Sequence, residues 1–170
     1  MIRRIVTLSL AVFFVLFLLA VAAFGLHWLQ AQNKLAQPIA FPHTVHAGRL
    51  GLACDFCHES VATSRHAGVP AVGKCLSCHE TIAADRPEII KLKQYPERKE
   101  DIHWKQIHAL PDFIYFSHKR HVRAELSCAA CHGQVEAMTV VKPVRSLQMG
   151  WCVSCHRTTG APLDCATCHK

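Results

Sequence analysis

The chain has 170 residues, a formal net charge of +7, ten cysteines and thirteen histidines. Every cysteine belongs to a Cys-x-x-Cys-His motif, which excludes a disulfide framework, since that would place no histidine after each second cysteine. The same pattern excludes zinc ribbons, which need four ligands per metal, and thioredoxin-like redox motifs, which do not come five to a chain.

In chain order, Arg3 and Arg4 precede an apolar run from Ile5 to Leu26 broken only by Thr7 and Ser9. As a helix this run spans about 33 Å, enough to cross the hydrocarbon core. Trp28 follows where an interfacial aromatic anchor is expected, beside His27. The arginine pair should stay cytoplasmic and send the rest of the chain to the periplasm. A cleaved signal peptide with Ala20-Val21-Ala22 as its cleavage box is the competing reading. The run is longer than a usual signal core, which favours a retained anchor over residues 1–29, followed by a linker over 30–40 and a soluble domain over 41–170.

That domain opens with Phe41-Pro42-His43-Thr44-Val45-His46. The first motif is Cys54-Asp55-Phe56-Cys57-His58 and the second Cys75-Leu76-Ser77-Cys78-His79, with His66 in a small-residue loop between them. Pro87–Tyr95 reads as a helix, with Asp85 and Pro87 at its start and Ile89, Ile90 and Leu92 as its apolar stripe. Asp101–His108 also reads as helical, from Ile102, Trp104 and Ile107. Strand signals are short and isolated, at Tyr115-Phe116 and Thr139-Val140-Val141. Phe116-Ser117-His118-Lys119-Arg120-His121 precedes the third motif, Cys128-Ala129-Ala130-Cys131-His132. The fourth is Cys152-Val153-Ser154-Cys155-His156 and the fifth Cys165-Ala166-Thr167-Cys168-His169.

Each motif is a c-type haem attachment sequence. Two thiols add across the two vinyl groups of one porphyrin, so they must sit about one helical turn apart, and the next histidine then lies under the iron as proximal ligand. The expected cofactors are five covalently bound haems c. Their ten propionates and five ferric cores bring the holoprotein to about +2 oxidised and about −3 reduced, so the basic charge offsets the cofactor and implies no nucleic-acid partner. About 28 residues per haem is too little for a conventional core. The expected fold is a multihaem cytochrome c with little regular secondary structure, in which short helices wrap the porphyrins and also carry the motifs.

A repeat organises the domain. The two Phe-x-His-x-x-His runs are 75 residues apart, the motifs at Cys54 and Cys128 are offset by 74, and those at Cys75 and Cys152 by 77. The repeats are 41–80 and 116–157, joined by a spacer over 81–115, and the fifth haem occupies 158–170. Five irons need five further axial ligands. Candidates are His43, His46, His118, His121 and then His108, whose apolar context would pack on a porphyrin face; Met149 and Met138 are the methionine candidates, and His66 and His103 are weaker ones.

The paired runs resemble the small class III multihaem cytochromes, where such a run supplies distal ligands ahead of an attachment motif. By that resemblance His43 serves haem 1 and His118 haem 3, while His46 and His121 reach other haems. A longer set of segments resembles one family: His66-Ala67-Gly68-Val69-Pro70, Trp104–Phe116, Cys131-His132-Gly133, Met149-Gly150-Trp151-Cys152 and Asp164–His169. These are similar to the membrane-anchored pentahaem cytochrome subunit of bacterial alternative complex III. The resemblance implies an electron-transfer subunit of a quinol:electron-acceptor oxidoreductase in the bacterial inner membrane. Its implied partners are an iron–sulphur, molybdopterin-enzyme-like subunit, polytopic quinol-binding subunits and a monohaem cytochrome c. The alternative is a free-standing anchored quinol dehydrogenase feeding a periplasmic reductase. A catalytic multihaem reductase is disfavoured because all five motifs end in histidine, and the sequence offers no general acid, nucleophile or substrate pocket.

Overall fold

The computed structural model describes residues 2–169, apart from the side chains of residues 31–35. The chain divides into two compact units, residues 1–36 and 37–170. The first is one helix, α1 (Ile2–Leu35). Its stretch Ile2–Gln30 is long and apolar enough to cross a membrane and none of its most apolar window is buried, although a signal sequence passes the same test. Within it Thr7 Oγ1 donates to the Arg3 carbonyl at 2.7 Å, satisfying a hydroxyl that a lipid environment would leave unpaired. The helix runs past the expected anchor to Leu35 because good helix formers continue until Pro38, which disfavours helix in the residue before it. Part of the expected linker is therefore helical.

The second unit is built from short helices, with no named strand among the described residues. They are α2 (Cys54–Cys57), α3 (Val72–His79), α4 (Pro87–Glu97), α5 (His118–Arg123), α6 (Cys128–His132), α7 (Met149–Thr159) and α8 (Cys165–Cys168). A π-helical turn covers Thr44–Arg49 and a 3-10 turn Val135–Ala137. Each attachment motif lies on one of these helices, as expected. The expected strand at Tyr115 reduces to one bridge, Ile114 with His169. Residues 139–141 form no strand.

The helix expected from Pro87 is α4, with the proline in its first turn, where its missing N–H costs nothing. The helix expected over Asp101–His108 is absent. Ile102 and Trp104, two residues apart, both pack on one small core of Ile39, Val72 and Leu92. A helix would set those side chains on different faces. Trp104 N instead turns back to the Ile102 carbonyl at 2.9 Å. Gln37 then takes both backbone groups of Lys105, donating to its carbonyl at 3.0 Å and accepting from its N–H at 2.8 Å.

Those three residues are the only buried hydrophobics among the described residues. A protein core that small cannot offset the entropy of ordering more than a hundred residues. It sits beside motif two, where Cys75 and Leu76 pack against it and the Ala40 N–H reaches Glu88 Oε2 at 2.6 Å.

Candidate haem sites

In α2 and α8 the histidine that ends the motif donates its backbone N–H to the carbonyl of the first cysteine, His58 to Cys54 and His169 to Cys165, each at 2.9 Å. That one turn of helix sets the two thiols and the histidine on adjacent positions, the geometry that attachment needs. Ser127 caps α6 by accepting the Ala129 N–H at 3.3 Å.

The structure brings the motif histidines together with the histidines of the two runs. The ring centroids of His46 and His79 are 6.0 Å apart, those of His121 and His156 6.1 Å, and those of His118 and His132 6.3 Å with planes 8° from parallel. Two imidazoles on opposite sides of one metal, each with a bond of about 2 Å, place their centroids about 6 Å apart. His46 thus faces the histidine of motif two, His118 that of motif three and His121 that of motif four. Burial lowers the pKa of His43, and the nearby His58 and His46 lower it further.

One phenylalanine orients each pair. Phe41 meets His43 edge-on at 4.9 Å and stacks on His46 at 4.3 Å; Phe116 does the same to His118 at 4.8 Å and lies over His121 at 4.7 Å. Backbone carbonyls fix the rings further. Nδ1 of His58 lies 2.6 Å from the Gly68 carbonyl, His79 2.9 Å from Ile82, His156 2.7 Å from Pro162, His46 3.2 Å from Pro42, His118 2.9 Å from Arg65 and His121 2.8 Å from Ser117. A carbonyl only accepts, so each Nδ1 carries the proton and each Nε2 keeps a free lone pair for a metal. Burial lowers the pKa of His43 and His108, and it takes His132 to about 4 with the help of His108, His118 and His58. Neutral imidazole is the form that binds iron. These residues fit haem c.

His108 meets His132 edge-on at 4.5 Å, too close to hold an iron between the two rings. Its Nε2 is buried without a partner. His169 stacks with Phe113 at 5.9 Å. Met149 opens α7 with 66% of its surface exposed, and Met138 approaches Gly133. His66 and His103 are exposed. Among the described residues no three His, Cys, Asp or Glu side chains converge on a metal site made by protein alone. Paired axial ligands to a porphyrin iron do not need one, because the macrocycle fills the other positions.

The carbonyls of Arg65, Gly68, Ile82 and Pro162 are part of the site, and no side-chain pattern marks them. Arg65 also donates to the carbonyls of Phe116 at 3.2 Å and Ile114 at 3.5 Å and lies over the Tyr115 ring at 5.3 Å. Its place in a small-residue loop beside His66 gave no such signal.

Residues 114–170 match the family described as cytochrome c7 and related cytochrome c. The C-terminal third is similar to multihaem cytochromes c. That likeness covers motifs three to five and brings covalent c-type haem and electron transfer with it. No curated protein matches the chain.

Proposed function

We propose that this chain is the electron-conducting subunit of a membrane quinol:electron-acceptor oxidoreductase complex, with five haems c on the periplasmic face of the bacterial inner membrane. The observation that carries the reading is the set of histidine pairs about 6 Å apart, each facing an attachment motif. When bound, the haems supply reversible one-electron chemistry. The chain's own part is to hold that chemistry in place. The cysteines would tether the haems, Nε2 of each paired histidine would bind the iron, and the carbonyl at Nδ1 fixes tautomer and ring orientation. With histidine ending every motif, the chain is built to carry electrons.

The apolar stretch Ile2–Gln30 supports a membrane location. The partners expected from the resemblance are an iron–sulphur, molybdopterin-enzyme-like subunit, polytopic quinol-binding subunits and a monohaem cytochrome c. His43, His46, His118 and His121 are the proposed distal ligands of haems 1 to 4, with His108 or Met149 as candidate for the fifth.

Replacing residues 1–29 by a cleavable signal peptide tests this reading. The expected product is soluble, red and pentahaem, and it no longer purifies with membrane partners. A soluble form that still co-purifies in full with them contradicts the anchoring role. A wild-type chain that purifies alone from mild detergent, with its haems reducible by quinol, favours the free-standing quinol dehydrogenase.

A further inference from the structure

Each Phe-x-His-x-x-His run is held by the other repeat. The Lys119 N–H donates to the Ser64 carbonyl at 3.0 Å, and the Thr44 N–H donates to the Met138 carbonyl at 3.3 Å. Thr44 and Lys119 occupy the same place in the two runs, 75 residues apart, and Ser64 and Met138 the same place after motifs one and three, 74 apart. The two bonds are one contact made twice in opposite directions. The first cysteines of those motifs, Cys54 and Cys128, are equivalent too, and they are neighbours: burial raises the pKa of Cys54 and Cys128 beside it raises it further. A contact made twice in opposite directions between equivalent groups is the mark of an isologous, twofold joint. Gly48 closes the joint, because a Cβ there would lie 2.6 Å from the Glu136 carbonyl oxygen. Only glycine lets the turn Thr44–Arg49 approach the turn Val135–Ala137 so closely.

Within a repeat the motifs are neighbours. Lys74, just before Cys75, pairs with Glu59 at 2.7 Å and sits 4.2 Å over the Phe56 ring of motif one. In the second repeat Arg145 donates from Nε to the Ala130 carbonyl of motif three at 3.2 Å. The segment leading to motif five is tied to the second repeat by the bond from His156 to Pro162, and motif five itself to the end of the spacer by the Tyr115 N–H to the Cys168 carbonyl at 2.7 Å.

We infer that the two repeats form a twofold-like pair within one chain, joined through motifs one and three, so that the haem sites run in the order two, one, three, four. The row does not follow the sequence. Motif two is an end, closed by the core of Ile39, Val72 and Leu92. The other end carries motif five. This order rests on the multihaem reading proposed above, and it makes the contact between sites one and three the single crossing between the repeats.

Nuclear magnetic resonance on the reduced full-length holoprotein in detergent tests the order, since low-spin ferrous haems are diamagnetic. Cross-relaxation contacts are expected between the substituents of the haem on Cys54 and Cys57 and those of the haem on Cys128 and Cys131. None is expected between the haem of motif two and those of motifs three or four. A contact from motif two's haem to either of these overturns the order. So does the absence of a contact between haems 1 and 3 while contacts within each repeat are seen. In Gly48→Val the contact between haems 1 and 3 should weaken selectively, and an unchanged contact counts against the joint; if that variant does not fold, the wild-type measurement decides. Failure of the multihaem reading itself is distinct, because it shows as fewer than five haems by mass.

Discussion

The two repeats carry the same ligand run but hold it differently. In the second, both histidines are pinned, His118 by the Arg65 carbonyl and His121 by the Ser117 carbonyl. In the first, His46 is pinned by Pro42, while Nδ1 of His43 is buried with no partner. The Arg65 carbonyl accepts from both the backbone N–H and Nδ1 of His118. The position equivalent to Arg65 in the second repeat is Thr139, and the reciprocal bond to Nδ1 of His43 is not made. A repeated sequence thus gives a repeated packing of the phenylalanine on its two histidines, while the hydrogen bonds around them depend on a loop from the other repeat. An unpaired buried ring nitrogen costs on the order of 1–3 kcal/mol, so the first repeat is the less settled of the two.

The largest effect expected from breaking this pairing is at His118. Replacing it by alanine should convert one haem of the set to high spin and leave the others low-spin, read by electron paramagnetic resonance of the oxidised protein. An unchanged spectrum would remove His118 as a ligand and with it the equivalence of the two runs. Next is Gly48, which has no slack at the joint. Gly48→Val should lower stability by about 1–3 kcal/mol through overpacking against backbone, seen as a lower thermal midpoint of the holoprotein.

The helix caps sharpen the comparison further. Ser127 caps α6, whereas Ala53 stands at the equivalent position before α2 with no side-chain cap. Ser127→Ala should cost about 1 kcal/mol and Ala53→Ser should gain up to about that much, by denaturant titration. No change at either site would mean that the two motif helices are held by something other than their caps. The smallest effects belong to His66 and His103, which are exposed and outside the paired set. Alanine at either should leave the haem spectrum unchanged, and a high-spin haem from either would add it to the ligands.

The attachment motifs stand out in the sequence because their chemistry needs two thiols and an imidazole at one spacing, and the family match over residues 114–170 supports c-type haem at motifs three to five. The four run histidines stood out by their repeat offset, and three of them, His46, His118 and His121, lie about 6 Å from a motif histidine. The helix from Pro87 was legible because proline in the first turn is a backbone signal. Asp101–His108 misled because Ile102, Trp104 and Ile107 suggest an apolar helical face, whereas packing on the core and the clamp from Gln37 decide the backbone there. The carbonyls that fix the rings were invisible in the sequence, since any residue supplies one. The crossing of the runs between repeats was also hidden. The offsets revealed two copies, but only the bonds from Thr44 and Lys119 show that each copy holds the other.

The central claim is that all five motifs carry haem and that the paired histidines serve them. Intact mass of the purified holoprotein under denaturing conditions tests the haem count most directly, because thioether-linked haem stays on the chain. The expected mass is that of the polypeptide plus five haems. A homogeneous product with four or fewer contradicts the claim.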